Sequence, residues 1–263
     1  MKLIKKAVEI GNGAAVYIPK EYIGKDIVVL LPEGIKEIKN RVLSSLIEFM
    51  PNILGVYLYG SYARNEEKSG SDIDILVITN AKEKNDKIKE ILKDIDVRVL
   101  TLESIKKSMK EYPGLIMPIL KEAETLVNPR LLDELRNSEI DFKKLKWNFD
   151  DIKRIISIIE KFIEIDDKNI SPLHIYSLVM RVRICYMIEC LLKNKIFYNK
   201  DIERLLLHYR FKKEGIDKFF YIYSLVKENK EPKIKIEKNE ILDLIKFLKE
   251  YSKKLENETK KKN

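Results

Sequence analysis

The spacing of apolar residues changes twice along the chain, and these changes restrict the possible folds more than any other feature. Short runs with strand character occupy about the first 35 residues, strand and helix patterns alternate up to about residue 130, and later segments repeat their apolar residues with helical spacing. We therefore expect three regions, 1–34, 35–130 and 131–263. The predicted fold class is α+β, with a short β-hairpin segment, a small mixed sheet and a C-terminal helical bundle.

The first region contains three runs rich in β-forming residues, at 3–10, 14–18 and 27–31. Gly11 and Gly13 indicate a hairpin turn between the first two runs. About thirty residues cannot bury a core alone. This segment is therefore expected to pack on the next domain or on a second copy of itself.

The middle region begins with a helical pattern that should end before Pro51. Strands are predicted at 53–59, 72–79 and 96–101, and helices at 82–93 and 102–112. The positions expected to point inward are Ile35, Ile38, Val42, Leu46 and Phe49 in the first helix and Ile88, Ile91 and Leu92 in the second. From about residue 149, four or five amphipathic helices are predicted, at 150–165, 172–194, 200–211, 215–229 and 239–256.

Most of the net charge of +9 lies in the C-terminal region, where residues 131–263 hold 30 basic and 23 acidic side chains. This excess fits either attraction to an acidic partner or a solvated lysine-rich surface. Cys185 and Cys190 lie in an apolar helical segment, which favours core thiols in a reducing cytoplasm. Neither a signal peptide nor a membrane span is expected.

The strand predicted at 72–79 carries two carboxylates on one face. Strand alternation points Asp72 and Asp74 the same way, about 7 Å apart at roughly 3.3 Å per residue. The two charges repel each other and both resist losing water, so a cation is expected to offset them. Asp96, on the next strand, supplies a third carboxylate, with Asp94 as the alternative. Such oxygen-rich pockets bind Mg²⁺, and three acids suit two ions.

The strand predicted at 53–59 is followed by a Gly–Ser pair. Gly60 lets the backbone approach a phosphate closely, and free N–H groups at a helix start favour anions. The Ser61 hydroxyl adds a donor, and Arg64 follows about one helical turn later. Gly60, Ser61 and Arg64 are therefore predicted to hold a triphosphate beside the metal-binding acids.

The sequence "GS", ten residues and then "DID" resembles the G-S-x10-D-x-D signature of the DNA polymerase β-like nucleotidyltransferases, over roughly residues 35–128. Gly60, Ser61, Ala63 and Arg64 also match the G-S-x-A-R version found in minimal nucleotidyltransferases. The resemblance implies in-line attack on the α-phosphate of a nucleoside triphosphate and release of pyrophosphate. Asn65 stands where the family often has glycine, which is expected to alter the turn and not the metals.

By position, the resemblance assigns Asp72, Asp74 and Asp96 to two Mg²⁺ ions. It also implies that Asp96 helps to deprotonate the acceptor hydroxyl. Gly60 and Ser61 would seat the β- and γ-phosphates.

The first 34 residues resemble the swapped-hairpin, AbrB-like DNA-binding fold, notably a short archaeal transposon-associated type, through "GNGAAVYIPKEYIGK". This resemblance implies a homodimer formed through residues 1–34. DNA is a further candidate partner, although a charge of +1 over residues 1–35 is weak for phosphate contacts.

The helical region resembles the C-terminal domains of archaeal nucleotidyltransferases. Arg204 and His208 lack the spacing of HEPN ribonucleases, whose motif has four to six residues between Arg and His. Arg181 and Arg183 interrupt an apolar helix and cannot both face one way. One could meet a phosphate or an acidic loop of the catalytic domain, or form a structural ion pair, for example with Glu189.

The leading hypothesis is a cytoplasmic, Mg²⁺-dependent nucleotidyltransferase that uses ATP or another nucleoside triphosphate. It would place AMP on an acceptor hydroxyl, with a protein side chain favoured, as in antitoxins that adenylylate a toxin. One alternative is a small molecule or an RNA end as acceptor, with the helical domain forming the acceptor wall. The other is a DNA-binding regulator or antitoxin whose transferase fold is not catalytic. Acceptor identity, base preference and oligomer size are not set by the sequence.

Overall fold

The computed structural model describes residue 5 and residues 7–27, 34–68, 70–166 and 170–262. It combines a two-stranded hairpin, a four-stranded mixed sheet and a set of C-terminal helices. The α+β fold class predicted from the sequence is therefore confirmed.

The N-terminal hairpin consists of strands β1 (Val8–Ile10) and β2 (Gly13–Ala15), which pair antiparallel. Gly11 closes the turn with a φ of 55°, a conformation that glycine adopts without strain. The second strand is shorter than predicted, because residues 16–19 have no regular structure. The run predicted at 27–31 and part of the run at 3–10 lie outside the described residues.

The central sheet has the strand order β5–β4–β3–β6. Its strands are β3 (Ile53–Tyr59), β4 (Asp74–Thr79), β5 (Asp96–Thr101) and β6 (Glu124–Val127). β4 and β5 pair in parallel, whereas β3 pairs antiparallel with both β4 and β6. The strands predicted at 53–59 and 96–101 match β3 and β5, and the strand predicted from residue 72 starts two residues later.

Two helices cover one face of this sheet. They are α1 (Ile35–Leu46) and α3 (Asn85–Ile91), and their buried side chains pack on Ile75 and Val77 of β4. A single helical turn, α2 (Gly60–Ala63), follows β3. A 3₁₀ helix (Ile47–Asn52) continues α1 through Pro51, so the helical region does not end before that proline as predicted. The prediction for Ile91 is also wrong: α3 ends at this residue, which is 46% exposed, while Ile88 is buried.

The opposite face is covered by α4 (Leu102–Glu111) and α5 (Pro113–Glu122). The side chain of Thr101 caps α4 by accepting a hydrogen bond from Ser104 N, 3.1 Å away. No helix or strand was predicted for residues 113–127. Helix α5 and edge strand β6 are therefore additions made by the structure.

The C-terminal region is helical, as predicted. Its helices are α6 (Pro129–Arg136), α7 (Lys146–Ile165), α8 (Pro172–Leu192), α9 (Asn199–His208), α10 (Lys213–Lys227) and α11 (Lys238–Lys261). Helix α8 packs between its neighbours and belongs to the same buried apolar cluster as Tyr57 and Leu76 of the sheet. Across the described residues, every helix is too short or too polar to cross a bilayer.

Candidate active site

Two of the three predicted carboxylates begin neighbouring strands. Asp74 is the first residue of β4, Asp96 is the first residue of β5, and the two residues are register partners in the parallel pair. Asp72 lies just before β4 and is exposed. Asp94, the alternative third acid, lies in the turn before β5. The sheet register therefore brings Asp74 and Asp96 together at one edge.

The carboxylate of Asp74 is in an unfavourable electrostatic environment. Burial, and then the negative charges of Asp96, Asp72 and Glu122, raise its pKa to about 6. The nearby charge of Arg64 opposes this shift without cancelling it. Among the described residues, the effect of burial and the neighbouring acids on Asp74 therefore exceeds that of Arg64.

The predicted phosphate-binding turn packs directly against this acid. Gly60 has a φ of 78°, and a Cβ atom at this position would lie 2.0 Å from Asp74 Oδ2. Any larger residue would push the Asp74 carboxylate away. Ser61 follows in the helical turn Gly60–Ala63. Its hydroxyl has no hydrogen-bond partner among the described residues. The Gly–Ser pair therefore lies beside the acids, with a donor group available.

Arg64, predicted to contact a phosphate, is instead held by two carboxylates. Its Nη1 donates to Glu122 Oε2 at 2.6 Å, and its Nε donates to Glu66 Oε2 at 3.0 Å. Burial lowers the pKa of Arg64, but Glu122 and Glu66 outweigh burial and hold it above its ordinary value. In this structure the Arg64 guanidinium is an ion-pair partner, and its contact with a phosphate stays a prediction.

Glu122 is the site residue that sequence reasoning missed. It is the last residue of α5, and its Oε1 accepts a hydrogen bond from Gly60 N at 2.9 Å. Burial raises the pKa of Glu122 even though Arg64 acts in the opposite direction. No local pattern marks this residue, because its role depends on contact with a turn 62 residues earlier in the chain.

Glu66 connects the phosphate-binding turn to the helical region. Its carboxylate accepts hydrogen bonds from Asn199 N (3.1 Å), Asn199 Nδ2 (2.8 Å) and Lys200 N (3.4 Å) at the start of α9. Burial alone would raise the pKa of Glu66, but these backbone donors and Arg64 lower it below its ordinary value. The helical region is thereby fastened next to the site.

A buried hydroxyl lies on the same sheet face as the acids. Tyr59 is the register partner of Asp74, and its hydroxyl makes no hydrogen bond of normal geometry. The Arg98 guanidinium lies 6.0 Å from the centre of the Tyr59 ring. Burial is the largest cause that raises the pKa of Tyr59 to about 12, so the phenol stays protonated.

The carboxylates of Asp74 and Asp96 are the type of ligand that Mg²⁺ uses in proteins. Within the described residues, no three acidic, histidine or cysteine side chains are gathered tightly enough to hold a metal ion. Mg²⁺ needs only one or two protein carboxylates when substrate phosphates supply further oxygens. Asp74 and Asp96 fit this requirement, and a cation between them would relieve the repulsion that raises the pKa of Asp74.

The two arginines that interrupt α8 have different surroundings. Arg181 forms an ion pair with Asp151 at 2.9 Å, and not with Glu189. Arg183 donates to Asn199 Oδ1 and lies against the rings of Phe197 and Tyr223. It therefore lies at the junction between the helical region and the Glu66 loop.

The remaining residues that the sequence analysis singled out lie elsewhere. Arg204 is exposed and pairs with Asp201, and His208 is exposed. Cys185 and Cys190 are buried free thiols, as expected for core cysteines.

Comparison with known protein families matches residues 41–130 to the family "Polymerase beta, Nucleotidyltransferase". Residues 2–33 match the family "Putative transposon-encoded protein (DUF2080)". No curated protein gave a significant match to the chain.

Three solved structures show distant similarity. The spectinomycin adenyltransferase AAD(9) from Enterococcus faecialis, solved with ATP and spectinomycin, is 17% identical, with a TM-score of 0.48 over 84% of this chain and 100% of that one. A toxin–antitoxin solved with AMP-PNP is 20% identical, with a TM-score of 0.29 over 48% and 98% of the two chains. A nucleotidyltransferase-like protein from Exiguobacterium sibiricum is 11% identical, with a TM-score of 0.36 over 82% and 75%.

The family match covers the four-stranded sheet, the Gly–Ser turn and all three predicted carboxylates. Residues 41–130 therefore form a nucleotidyltransferase domain of the polymerase β-like superfamily.

Proposed function

We propose that the chain transfers a nucleoside monophosphate, AMP from ATP in the first instance, to an acceptor hydroxyl in an Mg²⁺-dependent reaction. The observation that carries this proposal is the parallel register of Asp74 with Asp96, beside a Gly60–Ser61 turn that packs on Asp74. Neighbouring acids that disfavour each other's charge, next to a turn that offers the Ser61 hydroxyl and the Gly60 backbone, suit a metal-bound triphosphate.

Each predicted residue has a role that its position allows. The free hydroxyl of Ser61 and the backbone of the Gly60 turn would hold the β- and γ-phosphates. Asp74 and Asp96 would hold the metal, together with Asp72, which lies just before the strand. When bound, Mg²⁺ supplies charge neutralisation and alignment of the phosphates.

The reaction follows from this placement. The acceptor oxygen bonds to the α-phosphorus, the bond between that phosphorus and the bridging β-oxygen breaks, and pyrophosphate leaves. Asp96, whose side chain is exposed, would accept the proton of the acceptor hydroxyl. The protein contributes mainly positioning and electrostatics, which is characteristic of phosphoryl transfer.

For the acceptor, we favour the hydroxyl of a protein side chain. The support is the Gly60–Ser61–x–Ala63–Arg64 sequence, which is similar to that of the minimal nucleotidyltransferases. A small molecule and an RNA end are the competing acceptors. A homodimer formed through residues 1–34, and DNA as its ligand, belong to the same proposal as roles for the N-terminal segment.

The test is to incubate purified protein, Mg²⁺ and a lysate with ATP labelled on the α-phosphate, and with each of the other nucleoside triphosphates. Transfer of label to a protease-sensitive species supports a protein acceptor, and nuclease-sensitive or low-mass product identifies the other two. Asp96→Asn should abolish labelling, and Asp94→Asn, its exposed neighbour in the turn, should retain it. Absence of labelling and of ATP consumption by the wild type would favour the non-catalytic alternative.

A further inference from the structure

An internal carboxylate occupies the donors that the predicted phosphate seat offers. Glu122 Oε1 accepts from Gly60 N at 2.9 Å, and Glu122 Oε2 accepts from Arg64 Nη1 at 2.6 Å. Both donors belong to the group predicted to bind a triphosphate. Carboxylate and phosphate oxygens accept hydrogen bonds from the same N–H groups. Glu122 and a phosphate therefore compete for Gly60 N and Arg64 Nη1.

The position of Glu122 is electrostatically unfavourable for an acid that only has a structural task. It is largely buried, with 9% of its side chain exposed, and its charge adds to that of Asp96 and Asp72 in disfavouring ionised Asp74. A fixed negative charge beside three other acids weakens the attraction of the site for an incoming anion. A polar group without charge could have capped Gly60 N without this effect.

Arg64 does not depend on Glu122 alone. Glu66 also accepts from the guanidinium, at 3.0 Å, and Glu66 is itself fixed by the N–H groups at the start of α9. Removing the charge of Glu122 would therefore leave Arg64 paired and its Nη1 free to meet another anion. This arrangement makes Glu122 the exchangeable partner and Glu66 the permanent one.

We propose that Glu122 is an internal competitor of the nucleotide: it fills the phosphate seat in the ligand-free protein, and a phosphate group of the substrate must displace it. This inference rests on the proposed function, because it takes Gly60 and Arg64 as phosphate donors. The ligand-free state is then closed to weak oxyanions, and only a ligand that makes several contacts at once opens the seat. The apparent affinity for the triphosphate is the intrinsic affinity multiplied by the fraction of molecules in which Glu122 has left the seat.

The test compares Glu122→Gln with Glu66→Gln in the full-length protein. Glutamine at 122 keeps the size of the side chain and an acceptor for Gly60 N, but it removes the charge that competes with phosphate. Calorimetric titration with inorganic triphosphate and with Mg²⁺–AMP-PNP should show about tenfold or tighter binding by Glu122→Gln than by the wild type, the size expected for loss of one charge-assisted hydrogen bond. Glu66→Gln, which shares Arg64 but does not contact Gly60, should not bind more tightly.

The direction in which Glu122→Gln changes the triphosphate affinity distinguishes a competing role of Glu122 from a positioning role. If Glu122 instead positions Arg64 for the substrate, Glu122→Gln binds the triphosphate more weakly, and the proposal is overturned. Equal binding by Glu122→Gln and the wild type overturns it as well. If the wild type and both variants fail to bind either probe, the proposed function fails together with this inference.

A second measurement uses the wild type and does not depend on the folding of a variant. The amide signal of Gly60 in NMR spectra should shift when Mg²⁺–AMP-PNP is added, and a structure of the complex should show Glu122 Oε1 beyond hydrogen-bond distance of Gly60 N. A complex in which the 2.9 Å contact is kept while the phosphates are bound would contradict the proposal.

Discussion

At the scale of single residues, the charge on Asp74 opposes folding in the absence of metal. We predict that Asp74→Asn abolishes nucleotidyl transfer and raises the melting temperature of the metal-free protein at pH 7. The reason is that asparagine removes one member of a crowded acidic group while keeping its size. Transfer assays at saturating Mg²⁺ and thermal unfolding in chelator check the two halves of this prediction.

The contribution of Asp74 to folding stability should change with pH in a definite direction. The pKa of Asp74 rises from 3.8 to about 6 on folding, so the folded protein binds more protons than the unfolded chain between those values. The contribution of Asp74 to stability therefore falls as the pH rises through this window. The advantage of Asp74→Asn should disappear near pH 4. A variant that melts below the wild type at pH 7 would contradict the assignment.

Asn65 provides a second prediction at this scale. Its φ of 53° lies in the left-handed region, which asparagine tolerates and glycine favours. Asn65→Gly should leave the free energy of unfolding nearly unchanged, whereas Asn65→Val should lower it by about 1–2 kcal/mol. Denaturant titration measures both.

Asn137 offers a matched control for this experiment, since it also follows a helix but has a φ of −96°. Asn137→Val should therefore cost less than Asn65→Val. Equal costs at the two positions would mean that the turn after Ala63 does not require a left-handed residue.

At the scale of elements, the N-terminal segment is distinguished by exposed apolar side chains among its described residues. Ile10 is 53% exposed, Tyr17 69% and Ile23 78%. We predict that deletion of residues 1–34 yields a smaller species in sedimentation and retains nucleotidyl transfer, because in the proposed homodimer a second copy would cover these side chains, and the acids lie downstream.

Ile10→Asp in the full-length chain is a milder version of the same experiment and should also reduce assembly. Full-length protein that is already monomeric at micromolar concentration would refute the dimer. The apolar side chains would then be covered by the catalytic domain of the same chain.

Most elements of the fold could be predicted because their apolar periodicity is regular. Strands β3 and β5 and the long C-terminal helices followed directly from this pattern. Helix α5 was missed because Pro113 and Pro118 conceal its helical character, and β6 has only four residues. The contact between Glu122 and Gly60 was beyond reach for the same reason, since it needs the position of α5 against the sheet.

The part of the candidate site that depends on strand pairing could be predicted from the sequence. Alternation predicted that Asp72 and Asp74 share a face, and Asp96 was predicted as a third acid on a neighbouring strand. The observed pairing makes Asp74 and Asp96 neighbours. The ion-pair partners of Arg64 could not be predicted, because both are set by packing between distant segments.

At the scale of the whole molecule, the sheet and the C-terminal helices share one apolar core. Tyr57 and Leu76 of the sheet and Met117 of α5 belong to the same buried cluster as α7, α8 and α11. We predict that a fragment of residues 35–130 does not fold cooperatively, because α5, which covers the sheet, would lose the C-terminal helices that pack on it. The full-length chain should unfold in one calorimetric transition through the sheet and helices.

Near-ultraviolet circular dichroism of the fragment checks this prediction directly. A native-like spectrum with a sharp thermal transition would contradict it. The region from α6 onward would then be a separate domain in the thermodynamic sense.

The parallel pairing of β4 with β5 also has a consequence for the order of folding events. Asp74 and Asp96 form one end of this ladder, and Thr79 and Thr101, both buried, form the other. The first contacts between β4 and β5 close a non-local loop that contains α3. The entropy of this loop must be lost before the rest of the ladder can add stability. Like charges oppose nucleation at the acidic end, so the ladder should zip from Thr79 and Thr101 and bring the two carboxylates together last.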